Sequence, residues 1–75
     1  MSHLPQVSGR EIVVALKKVG YAKDRQRGSH IVLRQEKYPY RRLVIPDHKE
    51  LAKGTLRAII KQSGLTSKEF MDLLE

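Results

Sequence analysis

Three histidines, His3, His30 and His48, are the side chains of this sequence suited to exchanging a proton near neutral pH. His30 follows Gly28-Ser29 at the start of a predicted strand, on the face that lacks that strand's apolar residues. His48 stands at the turn before a predicted helix, where we expect a structural hydrogen-bonding group, and His3 is expected to be incidental. His30 is therefore the candidate catalytic residue, although a lone exposed histidine on a strand also fits a structural role.

An exposed imidazole is suited to cleaving RNA, because RNA carries its own nucleophile, the 2′-hydroxyl group. A base that removes its proton lets the 2′-oxygen attack the adjacent phosphorus, and Arg or Lys can stabilise the charge that develops. This chemistry needs no metal, and the sequence has neither cysteine nor histidines at metal-ligand spacing, so we expect no metal and no cofactor. Ser29 and His30 are adjacent on an extended chain and point to opposite faces, so a Ser-His nucleophile pair is not expected.

Positive charge is concentrated in the middle of the chain. The formal net charge is +7, and residues 23–42 hold seven basic and two acidic side chains, which leaves five of the seven net charges in this segment. A basic surface on a small protein favours a polyanionic partner, with nucleic acid first, an acidic protein second and an anionic membrane third. The basic residues of the segment are Lys23, Arg25, Arg27, Arg34, Lys37, Arg41 and Arg42.

Two tyrosines, Tyr38 and Tyr40, lie between these basic residues and are suited to stacking on unpaired bases. Basic side chains beside them would neutralise phosphates, so the segment is interpreted as a nucleic-acid-binding face. The alternative interpretation is an ordinary solvated sheet face whose charges prevent pairing with the edge strands of other molecules. A second basic stripe, Lys53, Arg57 and Lys61, is more typical of a solvated helix face than of an RNA contact. The residues that we expect to bind RNA are Lys23, Arg27, Ser29, Arg34, Tyr40 and Arg42.

The hydrophobic pattern predicts an α+β fold with the element order α-β-β-β-α-α. Capping boxes at Ser8–Glu11 and Thr66–Glu69 mark two helix starts, and a change to a period of two marks the strands. Because each amphipathic element must bury its apolar side, we expect a three-stranded antiparallel sheet with the helices on one face and a polar, basic, open face opposite. The predicted helices span 9–19, 53–63 and 67–74. The predicted strands span 21–27, 30–35 and 41–45, and the first of them is polar. The expected core consists of Ile12, Leu16, Ile31, Leu33, Leu43, Ile45, Leu56, Ile59, Ile60 and Phe70.

The length of 75 residues fits a single domain, residues 1–75, with a modest core. A chain this short has no room for an enclosed active site, so catalysis would take place on an open surface with a large substrate. No stretch of about 18 apolar residues is present, and the first residues lack the features of a signal peptide. We therefore expect a cytoplasmic protein that makes no membrane contact.

The order and spacing of several short motifs resemble the HicA toxin family, from about Val7 to Leu74. The resemblance implies a double-stranded-RNA-binding-domain-like fold with a short extra C-terminal helix, ribosome-independent mRNA interferase activity, and a cognate HicB-type antitoxin. It maps the family's catalytic histidine, in a Gly-Ser-His motif, onto His30, while residues 36–42 depart most from the family pattern. The motifs are Ser8-Gly9-Arg10-Glu11, Leu16 with Gly20-Tyr21, Arg27-Gly28-Ser29-His30, Val44-Ile45-Pro46-Asp47-His48, Gly54-Thr55-Leu56-Arg57-Ala58-Ile59, Gly64-Leu65-Thr66 and Glu69-Phe70.

Three functions are compatible with these observations: a metal-independent endoribonuclease, a non-catalytic RNA-binding module of the same fold, and an interaction protein that docks an acidic partner. A double-stranded-RNA-binding module reads A-form RNA with its first helix and the start of its second, whereas the charge here favours the sheet. The resemblance favours the ribonuclease. Its antitoxin is expected to be acidic and to cover the face holding His30, Arg34 and Arg42, and the alternative is an antitoxin that clamps the first two helices.

Overall fold

A computed structural model describes residues 4–74 and has the predicted order of elements, α-β-β-β-α-α. This order and the antiparallel sheet agree with the α+β, double-stranded-RNA-binding-domain-like fold that the family resemblance implies. No helix within residues 4–74 combines the length and the apolar character needed to cross a membrane. The elements are α1 (Gly9–Lys17), β1 (Tyr21–Arg27), β2 (His30–Gln35), β3 (Arg42–Pro46), α2 (Lys53–Ser63) and α3 (Ser67–Leu73).

The three strands form one antiparallel sheet in the order β1-β2-β3, so β2 is central. His30, the first residue of β2, pairs with Arg27 of β1 and Pro46 of β3. At the other end of β2, Arg34 pairs with Arg42. Side chains of residues directly opposite each other lie on the same face of a sheet, so these pairs define which residues share a face.

A β-bulge interrupts β1 at Asp24. Lys23 pairs with Leu33 and Arg25 pairs with the preceding residue of β2, Val32, so Asp24 is an extra residue without a partner of its own. In a regular strand Arg25 and Arg27 would share the face of Lys23, which is the helix-covered face. The bulge places both arginines on the opposite face, an arrangement that strict alternation along the sequence does not predict.

The core lies between one face of the sheet and the helices. All ten residues expected in the core are buried, among them Phe70 of α3, and the prediction is confirmed. Tyr21 of the strand predicted as polar is also buried; its hydroxyl donates to the Ser63 carbonyl at 3.4 Å, and burial raises the pKa of this tyrosine. Val7 and Leu51, on the segments that flank α1 and α2, and Val13 of α1 complete the core and were not in the expected set.

Both predicted capping boxes are present. The Ser8 hydroxyl accepts from the Glu11 amide at 3.1 Å while the Glu11 carboxylate accepts from the Ser8 amide at 2.9 Å, and Thr66 and Glu69 repeat the arrangement at α3. These reciprocal bonds satisfy backbone N–H groups that a helix start leaves without partners. Helix α2 follows Ala52 without a side-chain cap.

Three elements differ from the prediction at their ends. Helix α1 ends at Lys17 and α3 at Leu73, two residues and one residue earlier than expected, with Lys18 and Leu74 as their C-cap residues. Strand β3 spans 42–46 rather than 41–45. The Arg41 amide donates to the side chain of Gln35, at 2.8 Å from Oε1, rather than to a strand carbonyl, so the ladder starts one residue later.

Gly9, the first residue of α1, docks this helix onto the end of β3. Its amide donates to the His48 carbonyl at 2.9 Å, and a Cβ atom at this position would overlap the carbonyl oxygen of Pro46. Only glycine allows this approach of helix and strand backbones. Because Pro46 pairs with His30, the contact places the start of α1 beneath the candidate catalytic residue.

Candidate active site on the open sheet face

The sheet face turned away from the helices, here called the open face, carries side chains from all three strands. It presents four arginines, one histidine and four apolar residues, of which two valines lie near its centre. No acidic residue belongs to it by strand register within residues 4–74. The residues that the register assigns to the open face are Ala22, Arg25, Arg27, His30, Val32, Arg34, Arg42, Val44 and Pro46.

His30 lies at one end of the open face and is exposed. Its nearest cross-strand neighbours are Arg27 on one side and Pro46 on the other. Within residues 4–74 the imidazole has no hydrogen-bond or ion-pair partner, so both ring nitrogens are accessible to a bound substrate. The same residues contain no group of three or more histidine or carboxylate side chains arranged to hold a metal ion.

The turn before His30 is fixed by hydrogen bonds on the helix-covered side. The Asp47 amide donates to the Ser29 carbonyl at 2.6 Å. The side-chain amide of Gln26 donates to the Gly28 carbonyl at 3.1 Å and to Asp47 Oδ2 at 3.3 Å. Both carbonyls of the turn are therefore held, so the backbone that presents His30 is restrained although its side chain is free.

Asp47 also ties this turn to α1. Arg10 donates from Nε to Asp47 Oδ1 at 3.1 Å and from Nη2 to Oδ2 at 3.4 Å. This hydrogen bond lowers the pKa of Asp47 and raises that of Arg10, so the pair stays ionised at neutral pH. The sequence pattern predicted no role for Arg10, Gln26 or Asp47. Asp47 and Arg10 belonged to motifs shared with the family, but only the folded chain brings them together.

The arginines of the open face form two groups. Arg27 is directly opposite His30, and Arg25 is the next residue of β1 on the same face. Arg34 and Arg42 face each other four residues further along β2, which is about 13 Å from His30 at ~3.3 Å per residue. They therefore share the face of His30, as expected, but lie at its other end. Arg25, which was not selected from the sequence, lies closer.

The arginines differ in their freedom to contact a ligand. Arg34 is 3.6 Å from the carboxylate of Asp24, the bulge residue. Arg25, Arg27 and Arg42 have no ion-pair partner within the part of the chain that the structure describes. These three guanidinium groups are available for phosphates without first breaking an ion pair.

Between the two arginine groups the open face is apolar. Val32 is 7% exposed although it lies outside the main core, and its cross-strand neighbour Val44 is 47% exposed. The expectation of a polar, basic face therefore holds at its two ends and not at its centre. An apolar strip between cations suits a nucleic acid strand, which combines phosphates with bases and sugars.

The other expected RNA contacts are distributed around this face. Ser29 is exposed in the turn before His30. Lys23 shares the face of Leu33 and donates to Gln26 Oε1 at 3.0 Å, so it lies on the edge of the helix-covered side. Tyr40 lies in the loop after β2, beyond the end that holds Arg34 and Arg42.

Of the remaining histidines, His48 lies away from the open face. His48 lines an open cleft on the helix side with Ser8, Arg10, Asp47 and Lys49, and its backbone carbonyl accepts from the Gly9 amide. His3 lies outside the residues that the structure describes. His30 is thus the one histidine that the described residues 4–74 place on the open face.

Comparison with known protein families matches residues 9–65 to the HicA toxin of bacterial toxin–antitoxin systems. The matched stretch covers more than half of the chain and includes α1, the whole sheet and α2, and therefore His30 and its face. This chain belongs to the HicA toxin family and is a toxin of a toxin–antitoxin system, with an antitoxin as its partner. A search of curated proteins found no match.

Proposed function

We propose that this toxin is a metal-independent endoribonuclease, an mRNA interferase, in which His30 acts as the general base. The observation that carries the proposal is an exposed imidazole without a partner within residues 4–74, opposite Arg27, on a face to which the strand register assigns four arginines and no acidic residue. Membership of a family of toxins that are generally ribonucleases supports the same activity.

In the proposed reaction His30 takes the proton of a ribose 2′-hydroxyl. The 2′-oxygen then forms a bond to the adjacent phosphorus, and the bond from phosphorus to the 5′-oxygen of the next nucleotide breaks. The leaving 5′-oxygen takes up a proton from water, which the open face admits, and the histidinium later returns its own proton to solvent. The products are a 2′,3′-cyclic phosphate and a 5′-hydroxyl end, and Arg27 with Arg25 stabilises the charge on the pentacoordinate phosphorus.

The rest of the open face would hold the RNA strand. Arg34 and Arg42 are placed to bind phosphates about 13 Å from the cleaved bond, at ~3.3 Å for each of four residues. Ser29 would contact the substrate beside His30. Tyr40 would contact it beyond the end of the open face that holds Arg34 and Arg42. Lys23 is placed to act only from the edge of the sheet, because it shares the face of Leu33.

The antitoxin partner in this proposal is a HicB-type protein that neutralises the toxin in the cytoplasm. It would be acidic where it docks, because opposite charges speed association and disfavour wrong partners. Covering the open face would block phosphate binding and proton transfer at the same time.

The test is to incubate single-stranded RNA with the wild type, His30→Ala and His48→Ala in the presence of EDTA and to separate the products on a gel. We expect fragments with 2′,3′-cyclic phosphate ends from the wild type and from His48→Ala, which removes a histidine away from the open face. His30→Ala should give none while keeping its circular dichroism spectrum and nearly its full RNA affinity.

Two results would overturn the mechanism: full activity in His30→Ala, or a strict requirement for added Mg²⁺. A wild-type protein that shifts RNA on a native gel without fragments would support a non-catalytic RNA-binding module. A protein that neither cleaves nor shifts RNA would favour a surface that only docks an acidic partner.

A further inference from the structure

Two of the four aromatic residues in the chain are exposed on one loop. Tyr38 is 86% exposed and Tyr40 58% exposed, whereas the other two, Tyr21 and Phe70, are buried in the core. The exposed rings lie 6.3 Å apart between centroids and cross at 85°. Exposure of two large aromatic side chains side by side is uncommon on a protein surface unless they meet a ligand.

The loop that carries these rings, residues 36–41, is tied down by backbone hydrogen bonds. Its two ends are joined by the Gln35 amide, which donates to the Arg41 carbonyl at 2.9 Å. Inside the loop, the Tyr40 amide donates to the Lys37 carbonyl at 2.9 Å, and Tyr40 has a φ of 58°. Non-glycine residues seldom adopt a positive φ, so the chain holds this tyrosine in an unfavourable conformation that leaves its ring exposed.

Tyr38 lines an open cleft beside the loop. The other residues that line it are Val19, a 40% exposed side chain, Gly20, Gln35, Glu36 and Lys37. The aromatic ring of Tyr38 and the cation of Lys37 are the kinds of group that binding sites for single-stranded nucleic acid combine.

The charges around the loop favour RNA as its occupant. Arg34 and Arg42 lie at the adjoining end of the open face, and the loop itself carries two cations, Lys37 and Arg41, against one carboxylate, Glu36. A strand of RNA that follows β2 from His30 would reach the two arginines and then the rings of the loop. In a duplex the faces of the bases are stacked on one another, so only a single strand can offer them.

We infer that Tyr38 and Tyr40 form a stacking site for an unpaired base of single-stranded RNA, set apart from the bond that His30 cleaves. The inference rests on the proposed ribonuclease function and adds the substrate class and a binding subsite. The separation of about 13 Å from His30 to Arg34 corresponds to no more than about four stacked nucleotides at ~3.4 Å each. The stacked base is therefore several nucleotides from the cleaved phosphate.

The test uses His30→Ala as the parent protein, so that RNA stays intact during the measurement. The probe is a single-stranded ten-nucleotide RNA with one 2-aminopurine, moved through successive positions, and the control is the same RNA in a blunt duplex. Tyr38→Leu and Tyr40→Leu remove a ring and keep an apolar side chain, while Tyr38→Phe and Tyr40→Phe keep the ring. Both tyrosine side chains are exposed, and equal unfolding midpoints will verify that the variants are folded.

We expect the parent to quench 2-aminopurine at one or two positions of the single strand. Each leucine variant should lose this quenching and bind the single strand at least about fivefold more weakly, since base stacking is worth ~1–3 kcal/mol. The phenylalanine variants should retain both properties, and affinity for the duplex should not depend on the rings.

Unchanged affinity and quenching in both leucine variants would overturn the inference, and so would an equal loss of affinity for the duplex. Weaker binding of a poly-glutamate peptide with RNA binding unchanged would show that the loop contacts an acidic polypeptide instead. These outcomes are independent of cleavage. A wild type that fails to cut RNA would contradict the proposed function, whereas unchanged leucine variants beside an active wild type would contradict only the subsite.

Discussion

His30 has no carboxylate beside it to orient its ring within the described residues. Its position is instead set through the backbone, since Asp47 and Gln26 hold the two carbonyls of the preceding turn. The side chain is then free to adjust to the substrate while its Cα stays in place. A substrate with phosphates fixed by Arg27 and its neighbours would provide the remaining orientation.

The arginines of the open face predict how RNA affinity depends on salt concentration. Each neutralised phosphate of a single strand contributes about −0.7 to the slope of log affinity against log salt concentration. Replacing Arg27 or Arg42 by Ala should therefore weaken RNA binding and flatten the slope by about this amount. Arg34→Ala should have the smaller effect, because Arg34 already contacts Asp24. Fluorescence titrations at several salt concentrations measure both quantities.

Lys68→Ala is the matched control for these variants. It removes one positive charge from α3, a helix on the far side of the sheet, where Lys68 pairs with Asp72. The salt slope should stay at the wild-type value. If Lys68→Ala flattens the slope as much as Arg27→Ala does, binding depends on net charge and not on the open face.

The candidate site was predictable from the sequence to the extent that it depends on residue type. His30 and three arginines were selected because their chemistry and approximate strand positions are visible in the chain. Arg25 was overlooked because the bulge at Asp24 turns it to the open face, which alternation alone does not predict. Arg34 and Arg42 were grouped with Arg27 as RNA contacts, although four residues of β2 separate their end of the face from His30.

Among the elements, α1 and β3 have the closest contact near the site. Gly9→Ala should destabilise the fold by ~1–3 kcal/mol, because the new methyl group meets the backbone of Pro46, which cannot move aside as a flexible side chain would. Alanine normally stabilises a helix relative to glycine, so the expected change in stability has the opposite sign to the one that helix propensity predicts. Chemical denaturation of both proteins measures the change in the free energy of unfolding.

Gly54→Ala is the control, since Gly54 is also in the first turn of a helix but a methyl group there would meet nothing within 4 Å. It should stabilise the fold by up to about 1 kcal/mol. A Gly9→Ala protein as stable as the wild type would contradict this prediction, because it would show that α1 can shift away from β3 without a loss of stability.

The elements themselves were largely predictable. Two strands have the predicted bounds and both capping boxes form, because local hydrogen bonds and alternation of apolar residues determine them. The burial of Tyr21 and Val32 was not predictable in this way, since each depends on partners distant in sequence. Tyr21 is buried against α2, where its hydroxyl donates a hydrogen bond to the Ser63 carbonyl. Val32 is on the central strand, between its cross-strand neighbours Arg25 and Val44.

At the scale of the whole molecule, residues 4–74 contain no segment that covers His30. The helices are all on the other side of the sheet, and the loop of Tyr38 and Tyr40 lies at the far end of β2. Control of a toxin with such an open surface must therefore come from its partner. This agrees with a toxin–antitoxin system, whose antitoxin is the partner of the toxin.

Hydrogen exchange on the free and antitoxin-bound toxin should locate that cover. We expect new protection in β1, β2 and β3 around His30, Arg34 and Arg42, with α1 and α2 changed little. An antitoxin bound directly on the open face predicts this pattern, because it would exclude solvent from strands that are exposed in the free toxin. Protection confined to α1 and α2, with the strands unchanged, would show that the antitoxin acts from a distance.

The bulge in β1 has a consequence for how related toxins differ in length. Asp24 is the extra residue of the bulge, so its neighbours pair with consecutive residues of β2. A strand without Asp24 could keep these pairs, and Arg25 and Arg27 would still lie on the open face. Such a toxin would lose only the carboxylate beside Arg34. A one-residue gap at this position between relatives is therefore compatible with an unchanged RNA surface, whereas a gap elsewhere in β1 would reverse the side chains that follow it.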